Sequence, residues 1–132
     1  LRTRFDVILF GGPAEEGLVE RIRSRIPGGV LRVVTPDIRW FAALLSNCRL
    51  LVCNNSGPLH VACALGVPTV SFMGPTDPRR WYPLGENHTV LRLDDLPCIG
   101  CNDGTCRRKT HDCMRGIPPE RVMDVLAGTV PA

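Results

Sequence analysis

The chain has 132 residues, 44% of them hydrophobic and 22% charged, with a formal net charge of +3. That length and apolar content suffice for one domain with its own core, and so mild a charge leaves no electrostatic footprint for nucleic acid. No apolar run approaches the ~20 residues of a membrane span, and Phe5 to Gly12 is too short and wrongly flanked for a signal peptide.

The chain opens on Leu1 rather than methionine and enters a strand almost at once, so it reads as a piece of a longer protein. Asp6 to Phe10 is the first predicted strand, mostly apolar as in a parallel sheet covered on both faces. Gly11-Gly12-Pro13 ends it. Ala14 to Ile26 reads as a helix with Leu18, Ile22 and Ile26 on one face, and Glu15 and Glu16 in its first turn complement the dipole. Arg21, Arg23 and Arg25 spread around it as a solvated surface. Val30 to Val34 is a second strand, Thr35-Pro36-Asp37 a turn, and Asp37 can cap a helix from Ile38 to about Ser46.

Leu50 to Cys53 is a third strand. Four turn residues follow, Asn54 to Gly57, and then a helix of small apolar residues to Leu65, with Ser56 or Gly57 at the cap and Pro58 at its start. Gly66 ends it, and Pro68 to Met73 is a fourth strand. The order β-α-β-α-β-α-β predicts an α/β domain built on a parallel sheet, with ligands beyond the carboxyl ends of the strands. Beyond this the pattern loosens. Asp77 to Asn87 reads as an ordered loop, His88 to Leu93 as an edge strand, Asp94 to about Gly116 as a cysteine-rich loop, and Arg121 to Ala127 as a last helix with Val122, Val125 and Leu126 inward. No repeat and no second domain is evident.

The turn from Asn54 to His60 is the most informative stretch. A strand feeding a helix through a polar turn leaves backbone N–H groups at the positive end of a helix dipole, which suits phosphate. His60 adds a donor, and Asn54, Asn55 and Ser56 suit sugar hydroxyls as well. An ordinary strand–turn–helix unit would need the turn residues but not His60. Glu15, after the Gly11-Gly12 turn, can accept two ribose hydroxyls, or simply cap a helix start. Thr35-Pro36-Asp37 can meet a base edge or serve only as a cap, and Gly74-Pro75-Thr76-Asp77 can be a plain β-turn.

Cysteine is abundant, with seven residues. Cys48, Cys53 and Cys63 read as small buried hydrophobes. Cys98, Cys101, Cys106 and Cys113 are spaced C-x2-C-x4-C-x6-C, with His111 between the last two. A structural zinc, two disulfides and free thiols all remain open for them.

The stretch V-I-L-F-G-G-P-A-E-E, from Val7, and the run from Phe41 to Trp81 resemble the C-terminal half of the glycosyltransferase family 9 enzymes, the ADP-heptose:lipopolysaccharide heptosyltransferases and their relatives. Ser56-Gly57-Pro58-Leu59-His60 and Gly74-Pro75-Thr76-Asp77-Pro78 carry the likeness most specifically, and some members share a similar four-cysteine loop before P-E-x-V, here Pro119 to Val122. The resemblance implies a Rossmann-like donor domain, one half of a GT-B enzyme, over the whole chain. It also implies an inverting transfer that needs no metal, an ADP-heptose-like nucleotide-sugar donor, and a lipopolysaccharide core or other glycan acceptor.

By that resemblance Gly12 and Glu15 meet the ribose, Thr35 and Pro36 line the adenine, and Asn55, Ser56, Gly57, Pro58 and His60 face the diphosphate and sugar. The catalytic base and a phosphate-binding lysine are expected upstream of Leu1, in an acceptor domain, leaving no catalytic residue in this stretch. The implied setting is cytoplasmic, at the inner face of the bacterial inner membrane, with peripheral association at most. Asn55 departs from the family's usual Asp, and Thr35-Pro36-Asp37 from its Gly-Lys-Thr-like turn. The competing readings are a non-catalytic nucleotide or anion module and a metal-stapled interaction domain.

Overall fold

The computed structural model describes residues 5–129. The chain divides into two compact units, the first ending at Asn47 and the second starting at Cys48.

The first unit holds β1 (Ile8–Gly11), a 3-10 turn (Pro13–Glu15), α1 (Glu16–Arg23), β2 (Leu31–Val34) and α2 (Ile38–Leu45). β1 and β2 run parallel, Ile8 beside Leu31 and Gly11 beside Val34, and α1 packs on both. The helix is shorter than expected, and its inward face differs. Val19 is buried, while Leu18 and Ile22 are 47% and 41% exposed. The cause lies at Gly11, where a Cβ would stand 2.5 Å from Val19 Cγ2. The missing side chain makes a seat on the strand end, and Val19 takes it. Asp37 caps α2 as expected, its Oδ1 accepting from the N–H groups of Arg39 and Trp40 at 2.8 and 3.1 Å. Phe41 and Leu45 are buried on this helix, and the Phe41 ring meets Phe10 edge-on at 5.3 Å.

The second unit holds β3 (Leu51–Asn54), α3 (Gly57–Leu65), β4 (Thr69–Phe72), α4 (Pro78–Trp81), β5 (His88–Leu91), α5 (Asp112–Arg115) and α6 (Pro119–Thr129). Its three strands are parallel in the order β3-β4-β5, so β5 is the edge strand expected. α3 lies over β3 and β4, and α6 over β4. Thr69, Val70, Ser71, Leu59, Ala62 and Met73 are fully buried, and Leu126 is nearly so. Gly66 stops α3 with φ of 69°, the left-handed conformation that glycine adopts without a steric penalty.

The α/β class with parallel strands is as expected, whereas the single sheet is not: among the described residues the strands form two separate ladders. Apolar patterning marks a strand but does not choose its lateral neighbour. Two stretches read as loop contain helix. Asp77 and Pro78 start α4 by capping and by a preset φ, and α5 is a single turn inside the cysteine loop. Cys48, Cys53 and Cys63 are half-buried rather than core residues.

Leu59 lies at the junction of α3 with the sheet and is fully buried, while Leu84 is 81% exposed. Leu59→Ala should lower unfolding free energy in urea by ~2–5 kcal/mol, and Leu84→Ala should change it by less than ~0.5 kcal/mol. Equal effects would contradict this core.

Candidate functional site

In the first unit the two strand-end turns lie side by side, because the Thr35 N–H donates to the Gly11 carbonyl at 3.0 Å. Thr35 is buried there and Pro36 exposed. The Glu15 side chain is exposed, and its Oε2 accepts from the Gly12 N–H at 2.9 Å. The carboxylate thus closes its own helix start while remaining open to solvent. Gly12, Glu15, Thr35 and Pro36 form one group at the carboxyl ends of β1 and β2.

In the second unit β3 runs into α3 through Asn55 and Ser56. The Asn55 N–H donates to the Phe72 carbonyl at 3.0 Å, which fixes this turn against the end of β4. Ser56 takes the N-cap position, but its side chain caps nothing. Its hydroxyl instead donates to the Asn54 carbonyl at 3.4 Å. α2 and α4, by contrast, are capped by Asp37 and Asp77. The start of α3 therefore presents its dipole with no carboxylate against it. Gly57 and Pro58 are exposed, and a Cβ on Gly57 would meet nothing within 4 Å. His60, one turn in, is half-buried.

Two partners of this turn escaped the sequence reading. The Asn55 amide donates to the Trp81 carbonyl at 2.8 Å, tying the α3 start to the end of α4. An aspartate at position 55 could not donate that bond, so the departure at Asn55 has a local structural role. The Trp81 ring stands 6.1 Å from the His60 ring, tilted by 53°, and is 48% exposed. The Asp77-Pro78 pair, a cap followed by a preset helical residue, was the signal that could have placed Trp81 on a helix.

The Gly74–Asp77 turn leaves the end of β4. Its Thr76 hydroxyl is buried with no partner among the described residues, and its Thr76 carbonyl accepts from Arg92 Nη1 at 3.1 Å. Asp77 is held below the usual carboxylate range by the Arg79 guanidinium and then by the Arg79 N–H.

The four clustered cysteines line a single cleft of about 380 Å³ together with His111. Backbone N–H groups, first that of His111 and then those of Arg108, Lys109 and Thr110, hold the Cys106 thiol below its ordinary range against the opposing effect of burial. Burial pushes the Cys113 thiol up, and the nearness of Cys106, Cys98 and Cys101 adds to this. Among the described residues no three His, Cys, Asp or Glu side chains converge on a common ion position. Outside this cleft, burial and then neighbouring Cys63 raise Cys53 to about 11, which leaves it an inert thiol.

Comparison with known proteins supplies the frame for these turns. The model of glycosyltransferase family 9 (heptosyltransferase) matches residues 2–111. Lipooligosaccharide heptosyltransferase 2 of Campylobacter jejuni serotype O:2 is 31% identical over 124 residues, which are 90% of this chain and 39% of that protein. The chain thus spans about two fifths of the length of this relative. Among solved structures, E. coli ADP-heptose lps heptosyltransferase II superposes with a TM-score of 0.76 at 25% identity, over 95% of this chain and 36% of the other. The family 9 glycosyl transferase of Veillonella parvula superposes with a TM-score of 0.78 at 25% identity, over 97% and 37%. Those two likenesses extend across both units and make the α/β fold Rossmann-like. With a family match over residues 2–111 and the Ser56–His60 and Gly74–Pro78 motifs on two adjacent strand ends, the chain belongs to glycosyltransferase family 9.

Proposed function

We propose that residues 1–132 are the nucleotide-sugar-binding part of a heptosyltransferase of lipopolysaccharide core assembly, with an ADP-heptose-like donor. The observation that carries this reading is the start of α3: a helix N-terminus that no side chain caps, at the carboxyl end of a parallel strand, with His60 in its first turn. Pro58 has no N–H and the Leu59 N–H is bonded to the Ser56 carbonyl at 3.0 Å, so the N–H of exposed Gly57 is the helix-start donor that meets a diphosphate, and the dipole favours its charge. Asn55, Ser56, Gly57, Pro58 and His60 line that end.

In this reading the leaving group is the nucleoside diphosphate. Breaking the sugar–phosphate bond places negative charge on the departing oxygens. The Gly57 N–H, the α3 dipole and a His60 ring N–H stabilise it, and no metal is needed. The acceptor hydroxyl must lose its proton to a base, which the same reading assigns to an acceptor domain outside these residues. Attack opposite the leaving diphosphate then inverts the anomeric centre. Glu15 takes the ribose hydroxyls with the carboxylate oxygen that the Gly12 N–H leaves free, and Thr35 and Pro36 face the adenine. The exposed Trp81 ring beside His60 offers an apolar face to the sugar. No described helix is long and apolar enough to cross a membrane. The proposed place of action is the cytoplasmic face of the inner membrane, where a lipid-borne core acceptor would be reached peripherally.

Calorimetric titration of the intact protein with ADP and with pyrophosphate tests the site. A hydrogen bond to a charged group contributes ~1.5–3 kcal/mol, so His60→Ala should weaken both ligands by roughly ten- to a hundred-fold. Glu15→Ala should weaken ADP and spare pyrophosphate, which has no ribose. Unchanged affinities in folded variants would remove both residues from the site.

A spectroscopic test bears on Trp81 alone. The chain has two tryptophans, so Trp40→Phe leaves Trp81 as its sole tryptophan, excited selectively over Tyr82 at the red edge of the absorption band. Its fluorescence should change on titration with the nucleotide sugar. A silent signal at saturation would place the ligand away from α4.

A further inference from the structure

We propose that Arg92 and Asn102 are positioning residues for the donor site: together they clamp the Thr76–Asp77 peptide bond, and the clamp sets α4 so that Trp81 stands against His60. The consequence for ligand binding rests on the donor reading of the α3 start, whereas the clamp itself does not.

The Thr76–Asp77 peptide is held at both of its polar ends by side chains distant in sequence. Its carbonyl accepts from Arg92 Nη1 at 3.1 Å. Its N–H donates to Asn102 Oδ1 at 3.2 Å. A peptide unit is planar, so fixing both ends fixes the plane. That plane sets the direction in which the chain leaves the Gly74–Asp77 turn at Asp77.

Both holders are themselves held. The Arg92 side chain is only 13% exposed, and its Nε donates to Asp94 Oδ1 at 2.7 Å. The planar guanidinium is thus oriented by two acceptors at once, which a lysine could not match. Gly100 makes room for it: φ there is 72°, and a Cβ would stand 3.2 Å from Arg92 Nη2. Asn102 has φ of 56°, a left-handed conformation that asparagine tolerates better than most residues. Its own N–H donates to the Pro75 carbonyl at 2.6 Å, so Asn102 grips the turn twice.

What the clamp holds is the start of α4. Asp77 Oδ1 accepts from the Arg79 N–H at 3.0 Å, and the Asp77 carbonyl accepts from the Arg80 and Trp81 N–H groups, both at 3.1 Å. With four residues, α4 is too short to be stable as an isolated helix, so its two ends place it. Asp77 is one end. At the other, the Trp81 carbonyl accepts from the Asn55 amide at 2.8 Å, and the Trp81 ring lies 6.1 Å from the His60 ring. A run of direct bonds therefore leads from Arg92 and Asn102, through one peptide plane, one capping residue and one helical turn, to the start of α3. Arg92 and Asn102 act on the ligand only through Asp77 and Trp81.

The test uses the intact protein and reads Trp81 in the Trp40→Phe background, first without ligand. Arg92→Ala and Asn102→Gly each release one end of the peptide, and glycine at position 102 keeps the left-handed backbone. Each should shift Trp81 emission to the red and raise its quenching by iodide. In calorimetric titration Arg92→Ala should weaken ADP and pyrophosphate by roughly ten-fold, the low end of what one charge-assisted hydrogen bond contributes, and Asn102→Gly by roughly two- to ten-fold, as for a neutral one. Leu126→Ala separates position from stability. It hollows the core at α6 and removes neither bond, so it should lower stability while leaving Trp81 emission and ligand affinity of the folded protein unchanged. Unchanged Trp81 emission in folded Arg92→Ala, or an equal shift in Leu126→Ala, would overturn the proposal. Should Arg92→Ala fail to fold, Asn102→Gly decides by the same readouts. An unaltered protein that binds neither ADP nor pyrophosphate would sink the donor reading, and the ligand-free emission would still judge the clamp.

Discussion

Strand β4 is the constraint on which the second unit depends. Thr69, Val70 and Ser71 are fully removed from water, so their backbone polar groups need partners on both edges, and β3 and β5 supply them in parallel register. Parallel pairing in turn demands crossover connections, and α3 and α4 lie in those connections. The strand ends against a spatial limit. Gly74 has Met114 Sδ 2.7 Å and Cys113 Sγ 2.9 Å from the point a Cβ would occupy. The absence of a side chain at Gly74 lets the cysteine loop rest on it.

The treatment of helix starts separates scaffold from site. Asp37 and Asp77 spend their carboxylates on the first N–H groups of α2 and α4, which satisfies those donors and opposes an incoming anion. α3 has no such carboxylate and no capping side chain. The protein forgoes a local stabilisation of about 1 kcal/mol at that one strand end, and no side chain stands over the exposed Gly57 N–H. Asn55 follows the same logic. Its amide is used to hold Trp81, so the turn keeps its geometry without placing a charge near the α3 start.

Much of this was legible in the residues. Asp37 as a cap and Gly66 as a helix stop rest on chemistry confined to a few neighbouring positions, and both hold. The family motifs at Ser56–His60 and Gly74–Pro78 were visible for the same reason. Leu18 and Ile22 misled, because helical spacing gives a face but not the surface it meets. The seat at Gly11 admitted Val19 instead. The stretch from Asp77 to Asn87 looked irregular because a one-turn helix is too short to show periodicity.

The sequence by itself determined the α/β class, the order of strands and helices from β1 to β4, the turn residues at those strand ends and the family. These depend on local propensity, on turn stereochemistry and on motifs a few residues long. Only the tertiary structure decided that the strands pair as β1-β2 and β3-β4-β5. It alone brought Trp81 to His60 across 21 positions of chain, bonded Asn55 to Trp81, and set the cysteine loop on Gly74. Each of these is a meeting of residues far apart in sequence. Such meetings are selected by which surfaces can be buried together, and no short window of residues contains that information.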